Sequence, residues 1–153
     1  MLCIFYKNIE IKMNMNYLNS VIIGSFRKHL KEILALKEQL EQYNVRVLSP
    51  IDSVILDPND EFIVFASDPV SDPKILQDSV FVKIRNSAFI VVANIGGYLG
   101  QATIMEIGYA IAYGIPIYTL EAVHGPHLIP YCKLFTELNM PLTPEVKEEL
   151  FQL

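Results

Sequence analysis

The segment Phe89–Ala93 (F-I-V-V-A) is apolar at every position and partly β-branched, and the glycine-rich stretch Asn94–Gly100 follows it at once. A short, unbroken apolar run fits a strand covered on both faces, as at the centre of a parallel sheet. Such a strand constrains everything around it, because parallel neighbours must be joined by crossovers, usually helices. The chain supplies them. Val21–Ile23 is a second buried run and feeds the turn Gly24-Ser25. Arg27–Tyr43 sets Leu30, Ile33, Leu34, Leu36 and Leu40 among Lys and Glu, the pattern of an amphipathic helix. Val45–Leu48 is a short strand closed by Ser49-Pro50. Pro58–Asp60 reads as a turn and Glu61–Ala66 as a strand or hairpin arm. Ser71-Asp72-Pro73 opens a helix with proline in its first turn, running to about Asn86. Gln101–Tyr113 reads as a buried helix ended by Gly114, and Ile117–Leu120 as a strand. A segment near Ile129–Leu138 and a last helix from about Pro144 complete the pattern.

Alternation of strand and helix predicts an α/β domain built on a parallel sheet. The 153 residues suffice for one domain, at roughly 100–200 residues each. We expect that domain over 18–153, with 1–17 an uncertain appendage, because Met1, Met13 and Met15 are all candidate starts. The apolar stretch Met1–Tyr6 runs into Lys7, Glu10 and Lys12 without a small-residue cleavage site, so no secretory leader is expected. No apolar run reaches the roughly 18 residues of a membrane span. Cys3 and Cys132 form neither a disulfide framework nor a metal-ligand spacing, which fits a reducing, cytoplasmic setting.

Hydrophobic residues make up 52% of the chain and charged residues 19%. That balance suggests a sheet covered on both faces, or apolar surface hidden in a homo-oligomer. The net charge of −5 argues against a nucleic-acid polymer, which demands clustered positive charge. A small anionic ligand needs only one Arg and a helix N-terminus.

Ligands of open α/β sheets bind outside the carboxyl ends of the strands. Here the loops Gly24–Arg27, Asn94–Gln101 and Glu121–His127 leave such ends. The most informative stretch is Asn94–Ala110 (N-I-G-G-Y-L-G-Q-A-T-I-M-E-I-G-Y-A). Glu106 stands in it among Ile104, Met105 and Ile107, and a carboxylate is costly to bury unless paired or functional. Two readings stand side by side. Thr103-Ile104-Met105-Glu106 matches a capping box, in which Glu106 serves only its own helix. Alternatively, Glu106 performs chemistry. Ser25 is open in the same way: it caps the following helix, or with Gly24 and Arg27 it holds a phosphate. His124 and His127 lie in a loop on the same side of the sheet. One could protonate a leaving group, but their spacing matches no established metal site, and we expect no metal and no cofactor.

The Gly97, Gly100, Glu106 and Gly108-Tyr109-Ala110 series, followed by Gly114–Tyr118 (G-I-P-I-Y), resembles the signature of the nucleoside 2-deoxyribosyltransferase family. The likeness extends over about Val21 to Glu121 and is most specific around Glu106. It implies a single doubly wound, flavodoxin-like or Rossmann-like parallel sheet with helices on both faces. It also implies a homo-oligomer, and cleavage or transfer at the N-glycosidic bond of a (deoxy)nucleoside or its 5′-monophosphate. Glu106 would be the nucleophile, forming a covalent sugar ester that a second base or water resolves, as in retaining glycosidases. Gly24-Ser25-Phe26-Arg27 is similar to the Gly-Ser-x-Arg turn of the branch that hydrolyses deoxynucleoside 5′-monophosphates. The substrate-binding set implied is Gly24, Ser25, Arg27, Asn94, Gly97, Tyr98, Gly100 and Thr103, with Tyr98 placed to stack on a base.

This sequence departs from the family pattern at three places. The first strand carries Val21, Ile22 and Ile23 where many members have a Tyr against the catalytic Glu. The acid that assists the leaving base is matched only by Asp78, about one turn early, with Phe81 in the expected neighbourhood. Gly100 stands where some members have a polar residue. These departures keep open a non-catalytic nucleotide-binding module of the same fold. Hydrolysis of the nicotinamide–ribose bond of a dinucleotide ranks behind both, because the chain lacks the G-x-G-x-x-G fingerprint.

Overall fold

The computed structural model describes residues 17–51 and 54–138. Residues 1–16 of the uncertain appendage, with the apolar stretch Met1–Tyr6, and the expected helix from about Pro144 lie outside them.

Five strands form one sheet: β1 (Leu18–Gly24), β2 (Val45–Ser49), β3 (Phe89–Ala93), β4 (Ile117–Thr119) and β5 (Cys132–Leu134). Their spatial order is β2-β1-β3-β4-β5, and every pair is parallel. Among the described residues, three α-helices accompany the sheet: α1 (Phe26–Gln42), α2 (Pro73–Arg85) and α3 (Gln101–Ala112). This is the doubly wound, flavodoxin-like α/β architecture, with one helix layer on each face.

The two faces follow from the pleat. On one side Ile22, Phe89, Val91 and Ala93 meet Ile33, Leu36 and Leu40 of α1, joined by Phe135 and Leu138. On the other side Val21, Ile23, Ile90 and Val92 meet Ile84 of α2 and Ile107 and Ala110 of α3. The α1 residues recur at a helical spacing, so one stripe is buried while Lys31, Glu32 and Glu38 face out. Fully burying each such side chain contributes about 1.5–3 kcal/mol. Ser20, a polar residue buried in β1, is satisfied by donating its hydroxyl to the Phe89 carbonyl at 2.9 Å.

β1 leads to β2 on one side, and the chain then returns to place β3 on the other. The strand order therefore reverses between β1 and β3, and a crevice opens at their carboxyl ends, where Gly24 pairs with Ala93. A side chain at Gly24 would bring its Cβ to 3.0 Å from the Ala93 carbonyl oxygen, so only glycine fits this approach.

The Glu61–Ala66 arm is much shorter than expected. One antiparallel bridge, Ile55 with Phe65, flanked by the backbone hydrogen bonds Leu56 N–H to Val64 O and Ala66 N–H to Val54 O, joins the two sides of the 54–66 stretch. Its anchor is Phe65, 6% exposed, which meets the ring of Phe26 edge-on with centroids 5.4 Å apart. The segment near Ile129–Leu138 contains the short edge strand β5.

Candidate active site

A cleft of about 700 Å³ lies over the crevice. Four parts of the chain wall it: the β1–α1 turn, residues 49–51 and 61–68 from the end of β2 and the connection after it, the inner side of α2, and the β3–α3 loop with the start of α3. Glu106, Gly24, Ser25, Arg27, Tyr98, Gly100 and Thr103 all line it. Thus most of the residues expected from sequence converge on one cavity.

Glu106 does not belong to a capping box. Helix α3 begins three residues earlier than that motif requires: Gly100 is the N-cap, in extended conformation, and its carbonyl accepts from the Ile104 amide at 3.0 Å. Thr103 is therefore a buried residue of the first turn, and Glu106 belongs to the second. That position lies beyond the reach over which the helix dipole favours an anion. Glu106 is 8% exposed. Its Oε1 accepts a hydrogen bond from Gln77 Nε2 at 2.9 Å. Burial raises its pKa from the ordinary 4.5 to about 7, and the Gln77 bond pulls the other way. Desolvation is thus the larger effect, and the acid titrates near neutrality.

Ser25 caps α1, its side chain accepting from the Lys28 amide at 3.3 Å, while Arg27 is exposed at the cleft edge. Ser25 thus serves as the cap, and Gly24, Ser25 and Arg27 also line the cleft. Lys28 sets its ammonium 3.7 Å from the centre of the Tyr98 ring, a cation–π contact that ties the start of α1 to the β3–α3 loop.

Three expectations meet a different arrangement. Asn94 is buried at the end of β3 and does not line the cleft. Its side chain is spent on Glu121: Nδ2 donates to the Glu121 carbonyl at 2.8 Å, and Oδ1 accepts from the Glu121 amide at 3.0 Å. Gly97, at φ 76°, turns its amide onto the Glu121 carboxylate at 2.9 Å, again outside the cleft. Asp78 points away, in an exposed pair with Lys74 one turn before it on α2. Helical geometry explains this, because neighbouring residues on α2 face different directions and Gln77 holds the inward position.

Sequence reading missed Gln77, Lys83 and Asp68, which also line the cleft. Burial lowers the pKa of Lys83, and the Asp68 carboxylate partly restores it. Asp68 Oδ2 also accepts from the Phe65 amide at 2.7 Å, so it fixes the anchor of the connection. Tyr109 stacks on Phe81 with centroids 4.5 Å apart, and Tyr113 lies 4.7 Å from Tyr109, so these rings join α2 to α3. His124 and His127 are exposed. Among the described residues, no three His, Cys, Asp or Glu side chains gather as a metal site requires. Among them, too, no helix is long and apolar enough to cross a membrane.

Comparison with protein-family models and with curated proteins found no match to this chain.

Proposed function

We propose that this protein cleaves or transfers at the N-glycosidic bond of a (deoxy)nucleoside or its 5′-monophosphate, with Glu106 as nucleophile. One observation carries the reading: a buried carboxylate, held on one oxygen by Gln77, lines a cleft at the switch point of a doubly wound sheet. Two-step displacement asks for this type of group. The free oxygen of Glu106 attacks the anomeric carbon as the carbon–nitrogen bond breaks. The bonding pair leaves on the base, which takes a proton from water. Water, or a second base, then opens the ester at the same carbon and returns the carboxylate. With water the sugar gains the hydroxyl and the solvent regains the proton.

The cleft offers partners for the remainder of such a substrate. Tyr98 and Phe62 present rings for a base, and the Gly24–Arg27 turn offers a guanidinium and helix-terminal amides for a phosphate. A protein of this kind fits a homo-oligomer, with the exposed apolar side chains Val82, Met105 and Tyr113 of α2 and α3 and of the turn after α3 hidden between copies.

The test is incubation with a panel of nucleosides and 5′-monophosphates, with free base measured by chromatography. Wild type should release base, and Glu106→Ala should lose at least about a thousandfold of that rate. Release that survives the substitution contradicts the proposal.

A second reading, a nucleotide-binding module without turnover, draws support from Asp78. The side chain matched to the family's leaving-group acid is paired with Lys74 outside the cleft. Calorimetric binding of a nucleotide without base release would favour it.

A further inference from the structure

We propose that Gln77 is the positioning residue of Glu106: its side-chain amide holds one carboxylate oxygen and leaves the other for attack. The catalytic part of this inference rests on Glu106 being the nucleophile; the positioning part does not.

The geometry is specific. Gln77 and Glu106 stand on different helices, 29 residues apart in sequence, and both line the cleft. The Nε2–Oε1 distance of 2.9 Å is that of a well-formed hydrogen bond. The other charged groups on the cleft wall are Arg27 from the β1–α1 turn, Glu61 and Asp68 from the connection after β2, and Lys83 from α2. Among the described residues, none of these hydrogen-bonds to Glu106. Gln77 is therefore the group that decides how the carboxylate is oriented.

A glutamine suits this role chemically. Its amide does not ionise, so the N–H donates across the whole working pH range. A donor to a carboxylate favours the charged form against the cost of burial. A carboxyl side chain at the same place would instead compete for a proton. The bond also acts after the first chemical step. In the sugar ester Oε1 becomes a carbonyl oxygen, which accepts more weakly than a carboxylate oxygen. Gln77 therefore stabilises the departing carboxylate more than the ester and assists ester opening.

The experiment uses full-length protein carrying carbon-13 glutamate, with the Glu106 carboxyl resonance identified by its absence in Glu106→Gln. The resonance is titrated in wild type, in Gln77→Met, which keeps the side-chain length without a donor, and in Gln77→Glu. Wild type should titrate near 7, Gln77→Met about one unit higher, and Gln77→Glu in two separated steps. In Gln77→Met the acidic limb of the base-release profile should move by the same amount, and the covalent ester should accumulate. An unmoved Glu106 titration in both variants overturns the proposal, as does a rate loss equal at every pH. A shifted titration in a protein that releases no base supports the positioning role and overturns the enzymatic reading instead.

Discussion

Asn94 and Glu121 lock the carboxyl ends of β3 and β4 together through two reciprocal hydrogen bonds, 2.8 and 3.0 Å long. The resemblance of the surrounding loop implies a substrate contact at Asn94, yet Asn94 does not line the cleft and its amide bonds to Glu121 instead. Its work is to fix the base of the β3–α3 loop, and with Gly97 it brings the loop onto Glu121. Asn94→Ala should therefore destabilise the fold by about 1–2 kcal/mol, because two part-buried hydrogen bonds to the Glu121 backbone are lost. Urea denaturation measures this, and KM for any substrate should stay close to wild type.

Glu106 makes the fold sensitive to pH in an unusual direction. The folded protein keeps the Glu106 proton up to about pH 7, while the unfolded chain releases it near 4.5. Between those values the folded state binds more protons, so stability falls as pH rises through the window and levels off above it. The integrated loss is on the order of 3 kcal/mol. Glu106→Gln should remove this dependence and stabilise the protein at about pH 8 relative to wild type, with little gain at about pH 4. Denaturation midpoints at the two pH values check it. Such a gain in stability with loss of activity is expected of a group held for chemistry.

Asp78 tests how far the family pattern carries over. Because it pairs with Lys74 in solvent and does not line the cleft, Asp78→Asn should leave base release unchanged. A large loss in kcat would show that Asp78 acts on the leaving base after all.

If the Gly24–Arg27 turn holds a phosphate as proposed, Arg27 should separate the two substrate classes. Arg27→Ala should raise KM for a 5′-monophosphate about tenfold or more, since a charge-assisted contact is lost. KM for the corresponding nucleoside should not change. Parallel steady-state assays on one nucleoside and its monophosphate read the difference.

The sheet was legible because Val21–Ile23, Phe89–Ala93 and Ile117–Leu120 are unbroken apolar runs, and buried parallel strands leave that mark. α1 was legible from the spacing of Ile33, Leu36 and Leu40, and α2 from Asp72-Pro73, where Asp72 does cap the helix by accepting from the Ile75 amide at 3.0 Å. The start of α3 was harder. Thr103 carries the hydroxyl that a cap prefers, but Gly100 takes the cap position with backbone alone, and no side-chain signal marks that choice. The site was half legible. Glu106 stood out as an acid in an apolar stretch, whereas its partner Gln77 and the cleft residue Lys83 are ordinary polar residues of an amphipathic helix. Only the packing of α2 against α3 gives them meaning. Neighbouring Asp78 is the acidic residue of this helix turn, but the helical rotation between 77 and 78 places Gln77 inward.

The central claim is a covalent bond between Glu106 and a sugar. Wild-type protein mixed with a nucleoside or its 5′-monophosphate, quenched in acid within the first turnover and digested, should yield the Glu106 peptide with the added mass of the (deoxy)ribosyl group. Glu106→Gln should yield none. Base release by wild type with no sugar on the Glu106 peptide, or with the sugar on another residue, would contradict the account.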